Sequence, residues 1–148
     1  MAPSQKRYAD AMRVLGIDVG EKRIGVALSD PTGMLASALT VVESVGPRKD
    51  VERVVELARQ HEAECIVVGM PVSMDGRIRE QGRAVEMFVR RLEEATDIAV
   101  DTWDERLTTV EADRRMIEGG ASREKRREQR DAVAAAIMLQ AYLDSGRS

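Results

Sequence analysis

Val14-Leu15-Gly16-Ile17-Asp18-Val19-Gly20 interleaves four apolar residues with glycine, the composition of a short strand buried on both faces. Asp18 falls inside that run, where a carboxylate is costly to desolvate unless something positive meets it. Gly20-Glu21-Lys22-Arg23 then makes a tight polar turn, and Ile24-Gly25-Val26-Ala27-Leu28 resumes as a second strand. The pattern predicts a hairpin with Asp18 at its working end. Aspartate is also a common turn former that bonds nearby backbone N–H groups, so this residue alone leaves both roles open.

The composition around it is that of one ordinary globular domain. The 148 residues are enough for a sizeable core, with 43% hydrophobic and 33% charged residues. Residues 1–11 carry no periodicity and read as a flexible extension, leaving 12–145 as a single domain. No run of eighteen apolar residues is present, which excludes a transmembrane helix, and the first ten residues lack a signal-peptide core. The expected location is the cytoplasm. The single cysteine, Cys65, opens the apolar run Cys65-Ile66-Val67-Val68 and reads as a buried thiol rather than a nucleophile. The single histidine, His61, has no companions for a zinc site and leaves a His-based triad without support. A net charge of −3 argues against a surface coated with basic residues.

Taken in order, the hairpin is followed by a third strand over Met34–Val42, reached through Ser29-Asp30-Pro31-Thr32-Gly33. Short connections predict that these three strands pair antiparallel. After Gly46-Pro47 the period changes, and Val51, Val54, Val55 and Ala58 mark a helical stripe. A strand over 64–70 follows, then a loop from Pro71 to Gly76, and a helix defined by Val85, Phe88, Val89 and Leu92. A strand over Ile98–Trp103 runs into Asp104-Glu105-Arg106. Thr108-Thr109-Val110-Glu111 is a capping box that predicts a helix to Gly119-Gly120, and a last helix spans Asp131 to about Asp144. The order β-β-β-α-β-α-β-α-α predicts an α/β fold: a five-stranded mixed sheet flanked by helices.

Two further acids share the oddity of Asp18. Glu105 directly follows the last strand, where ligand sites of α/β sheets gather; its plain alternative is an ion pair with Arg106. Asp131 opens a helix apolar on most sides, with Ala134, Ala135, Met138 and Tyr142 following on one face. Its plain alternative is to complement the helix dipole, worth about 0.3–1 kcal/mol. Three acids that cannot neutralise one another call for cations. An oxygen-only donor set favours Mg²⁺ or Mn²⁺ over Zn²⁺, and a pair of such ions about 3.5–4 Å apart suits phosphodiester hydrolysis.

Asp18-Val19-Gly20-Glu21-Lys22-Arg23-Ile24-Gly25-Val26-Ala27 resembles the opening motif of the YqgF (RuvX) family. Gly69-Met70-Pro71-Val72-Ser73-Met74-Asp75-Gly76 is similar to its second motif, with Ser73 where Asn is common. Asp104-Glu105-Arg106-Leu107-Thr108-Thr109 resembles the third, and Arg130-Asp131-Ala132-Val133-Ala134-Ala135 the last. Members are described as Holliday junction resolvases and as nucleases that process the 5′ end of pre-16S rRNA. The resemblance implies an RNase H-like fold of sheet order 3-2-1-4-5. It also implies that Asp18, Glu105 and Asp131 form a catalytic, metal-binding triad. In that order the strand carrying Glu105 lies two strands from Asp18, about 10 Å away, so Glu105 has to reach inward.

The nucleic-acid contacts expected on this reading are Lys22, Arg23 and Arg106 beside the acids, together with Arg123, Lys125, Arg126, Arg127 and Arg130. The last five lie in a stretch of five basic and two acidic residues, a net of +3, which reads as a phosphate-binding flap or a solvated connector. The expected partner is structured RNA precursor or branched DNA, bound by a monomer or homodimer. Two other readings stand beside the nuclease. An Asp-x-Gly hairpin also resembles the phosphate-binding segment of actin-like ATPases and sugar kinases, although those need two such lobes and this chain has one. A non-catalytic nucleic-acid-binding regulator is the third.

Overall fold

A computed structural model describes residues 13–108 and 130–146. Strands β1 (Val14–Val19), β2 (Arg23–Ser29) and β3 (Ala36–Glu43) come first, followed by helix α1 (Pro47–Gln60) and β4 (Cys65–Met70). Helix α2 (Glu80–Ala95), β5 (Ala99–Asp104), a 3₁₀ turn (Glu105–Leu107) and α3 (Arg130–Ser145) complete the described elements. The sheet order is β3-β2-β1-β4-β5. β1 pairs antiparallel with β2, and β2 with β3, while β4 runs parallel to both β1 and β5. This is the mixed RNase H-like sheet expected from the element order and the motifs. The expected extension 1–11, the helix from Thr108 to Gly119-Gly120 and the basic residues Arg123, Lys125, Arg126 and Arg127 lie, apart from Thr108 itself, outside the described residues.

Strand alternation sorts the side chains into two cores. Leu15, Ile17, Ile66 and Val68 face α1 and α2 in one cluster. Val14, Cys65 and Val67 face Ala135, Ala136, Leu139 and Leu143 of α3 in the other. Burial on both faces is why β1 and β4 read as near-continuous apolar runs. Cys65 is fully buried, as its setting in the sequence predicted.

Two boundaries differ from the sequence reading for identifiable reasons. β3 begins at Ala36 rather than Met34, because the Asp30 carboxylate accepts the Met34 and Leu35 N–H groups at 2.7 and 3.0 Å. Gln140 of α3 then takes over: it accepts the Ala36 N–H at 2.9 Å and donates to the Met34 carbonyl at 3.0 Å. β5 begins at Ala99 because the Ile98 N–H is held by the Thr96 hydroxyl at 3.1 Å. On α3, Ala135, Met138 and Tyr142 form the buried face, whereas Ala134 is exposed.

Candidate active site

Alternation along β1 puts Gly16 and Asp18 on the α3 side of the sheet. A side chain at Gly16 would collide with Leu139, its Cβ falling 2.9 Å from the Leu139 Cβ, so α3 lies close against the strand. The approach is tighter still at Gly25, which sits opposite Asp18 in the β1–β2 ladder. There the backbone carbonyl of Asp131 occupies the space a Cβ would need. The absent side chain thereby sets the start of α3, and with it Asp131, directly over the strand pair that holds Asp18.

Glu105 arrives from the other direction. Asp104 ends β5 pointing away from α3, caps the 3₁₀ turn by accepting the Arg106 N–H at 2.9 Å, and holds the Arg106 guanidinium through contacts of 2.7–3.1 Å. The turn is closed by the Thr108 N–H on the Glu105 carbonyl at 3.1 Å. Glu105 is left facing inward, with β4 between it and Asp18. The crossing works because β4 presents Gly69 there: Glu105 Oε1 lies 2.8 Å from where a Gly69 Cβ would be. The carboxyl passes over bare backbone and bonds Asp18. The two-strand gap is closed by an empty position on the strand between.

The electrostatics follow from this geometry. Burial is the largest influence on both acids, and Asp18 makes Glu105 harder to ionise while the Glu105 hydrogen bond makes Asp18 easier. Glu105 is pushed up to about 7 by burial, by the charge of Asp18 and by donating its proton to Asp18, with Asp104 adding a little. Asp18 is raised by burial, eased by the hydrogen bond from Glu105, and raised again by the charge of Asp131. No basic group figures among the causes for either acid. Glu105 therefore carries the proton, and Asp18 accepts it. Among the described residues, no three His, Cys, Asp or Glu side chains are drawn together closely enough to form a finished metal cage. Asp18 and Glu105 are joined by a proton, and Asp131 stands within electrostatic reach without bonding either.

The pair makes stability depend on pH. Both acids titrate higher in the folded chain than in the unfolded one, so their contribution is fully present below pH 3.8 and is lost as pH rises, for Glu105 through about 7. The metal-free protein is expected to melt a few degrees lower at about pH 8 than at about pH 5. In scanning calorimetry, Glu105→Gln should remove most of that difference; an unchanged pH profile would show that the pair does not share a proton.

The basic residues expected near the acids are placed unevenly. Lys22 is exposed in the β1–β2 turn and Arg23 at the start of β2, where it pairs with Glu43 at 3.3 Å. Arg106 is engaged by Asp104, and Arg130 is exposed as the first residue of α3. Gly25 and Gly69 fall within the motifs, but their task is not legible in the sequence, because an absent side chain has meaning only once its neighbour is known. Nor is that of Gln81, whose side-chain amide donates to the Val19 carbonyl at 3.1 Å and ties the start of α2 to the end of β1.

A family model described as "RuvX: Holliday junction resolvase" matches residues 12–145. The chain belongs to the RuvX family. This RuvX chain is 45% identical over 135 residues to a protein of Desulforamulus reducens named "Putative pre-16S rRNA nuclease", covering 91% of this chain and 98% of that one. A relative of the same name in Thermoanaerobacter pseudethanolicus is 46% identical over 138 residues, covering 93% and 99%. RuvX members are nucleases by these descriptions, which makes this chain a member of an enzyme family. Among solved structures, Thermus thermophilus RuvC in complex with a Holliday junction substrate matches with a TM-score of 0.61 at 19% identity, covering 93% of this chain and 98% of that one. At that identity the likeness speaks for the fold.

Gly69→Ala separates the fold from the site. The atom it crowds is the far end of a flexible side chain, so Glu105 can swing away at little cost to stability. Cleavage is expected to fall at least about tenfold while the melting temperature changes by only a few degrees. Activity and melting curves measured on one preparation check both halves.

Proposed function

We propose that the chain is a divalent-metal-dependent endonuclease that processes the 5′ end of pre-16S rRNA in the cytoplasm, with Asp18, Glu105 and Asp131 as its acids. One observation carries the reading: a half-buried, hydrogen-bonded carboxyl pair beside a third acid, with no basic group to compensate it. A proton on Glu105 is the smallest cation that relieves such a pair, and an all-oxygen donor set suits a hard divalent ion in its place. Asp18, Glu105 and Asp131 would hold the metal, Mg²⁺ or Mn²⁺. When bound, a pair of such ions supplies an activated water and neutralises the leaving oxygen. Asp18 would be the ligand shared with both other acids, which flank it. Glu105 would give up its proton to serve as a ligand, so metal affinity would rise with pH around 7.

The family description favours a second substrate, the four-way DNA junction. Cleavage of labelled pre-16S leader RNA and of a synthetic four-way junction, each with Mg²⁺, with Mn²⁺ and with EDTA, tests both. Metal-dependent cutting of the RNA at a defined 5′ position supports the first reading, and resolution of the junction alone supports the second. Binding without turnover on either substrate would instead make the chain a regulator.

A further inference from the structure

The loop between β4 and α2 is closed by its own hydrogen bonds and starts just after Gly69, over which Glu105 lies. Val72 and Ile78 bridge across its base, and within it the Ser73 N–H donates to the Arg77 carbonyl at 3.1 Å and the Gly76 N–H to the Ser73 carbonyl at 2.8 Å. At its centre the Asp75 carboxylate accepts the Arg77 N–H at 3.0 Å and the Arg79 guanidinium at 2.7 Å. Arg106 comes to the same place from the 3₁₀ turn, with Nη1 lying 3.9 Å from the Cβ position of Gly76. Three guanidiniums thus meet two carboxylates, Asp75 and Asp104, and the patch carries a net +1.

We infer that Arg77, Arg79 and Arg106 form a binding site for the phosphodiester backbone of the strand that enters the acid site. This rests on the nuclease reading and gives it a substrate contact that the acids cannot supply. A polyanion is repelled by an acid cluster with no basic group among it, so productive approach needs positive charge on the rim. The loop starts at the end of β4, next to Gly69 over which Glu105 lies, and exits into α2, which Gln81 ties to β1 beside Asp18. Its arginines are therefore fixed relative to the acids. Arg77 and Arg79 are 77% and 61% exposed. Exposed ion pairs are weak, so exchanging Asp75 for phosphate costs little, while Asp75 keeps the forks oriented beforehand. Asp104 occupies Nε and Nη2 of Arg106, and among the described residues nothing accepts from its Nη1. That leaves a donor facing the loop. The site reads charge and spacing and carries no sequence preference.

The test is binding of a fluorescein-labelled RNA duplex, and separately of a four-way DNA junction, over a salt series in EDTA. Under those conditions affinity is measured whether or not the protein cleaves. Removing two phosphate contacts with Arg77→Gln/Arg79→Gln should lower the slope of log K against log salt by about 2 and weaken binding about tenfold near 0.1 M salt. Arg77→Lys/Arg79→Lys keeps the charge and should stay near the wild-type slope, which a merely structural role would not predict. Arg90→Gln/Arg91→Gln removes the same charge from the exposed far end of α2 and should change the slope less. The inference is overturned if the glutamine pair at 77 and 79 keeps the wild-type slope, if the distant pair loses as much, or if the wild type binds neither probe. The expected slope differences, together with no cleavage of either substrate by the wild type in Mg²⁺ or Mn²⁺, would sink the nuclease reading alone.

Discussion

Replacing Gly25 with alanine is expected to cost about 3 kcal/mol or more of stability and to abolish activity together with it. The new methyl group would enter the space of the Asp131 backbone carbonyl. Backbone cannot rotate aside as a side chain can, so α3 must lift from the sheet or β2 must bend. Overpacking usually costs about 1–3 kcal/mol, and a clash with helix backbone belongs at the upper end. The melting temperature should fall by about 10 °C. The lifted end of α3 is the end that carries Asp131, so any protein that still folds should also lose cleavage. A variant that melts and cleaves like the wild type would mean that Asp131 needs no such close approach. Set against Gly69→Ala, which crowds only a carboxylate, the two glycines separate a cost in stability from a cost in activity.

Asp18→Asn should leave the fold intact and reduce cleavage by at least about a hundredfold, several kcal/mol of barrier. Asparagine has the same shape and still accepts the Glu105 proton through its carbonyl oxygen, so the contact between β1 and the 3₁₀ turn survives. What is lost is the charge at the centre of the acid group. The same change removes the main charge that raises Glu105, so its titration should move down from about 7 toward the ordinary carboxylate range. The metal-free variant should therefore be at least as stable as the wild type at neutral pH. Wild-type cleavage by folded Asp18→Asn would remove Asp18 from the proposed site.

These expectations show which parts were legible in sequence. The strand pattern of Val14–Val19 and Cys65–Met70, the helical stripe of Val51–Ala58 and the short turns between the first three strands lead to the observed element order, because burial and periodicity are local and additive along a chain. The oddity of Asp18 was equally visible, since a carboxylate in an apolar run stands out in a list of residues. The route by which Glu105 reaches it was not. Strand spacing implied a gap of about 10 Å, and only the register, which sets Gly69 level with Trp103 near the end of β5, shows a clear path. The beginning of β3 was misplaced for the opposite reason: Asp30 and Gln140 take N–H groups that strand propensity assigns to the ladder, and Gln140 lies more than a hundred residues away.

Gln140 has a further consequence. It clamps the later turns of α3 to the start of β3, while Leu139 against Gly16 and the Asp131 backbone against Gly25 set the helix's depth along its length. Three anchors, all made with the first three strands, determine where Asp131 stands. Each anchor reaches a strand far from Asp131 in sequence, so a substitution at Gly16, Gly25 or Gln140 reports at a carboxylate it does not touch.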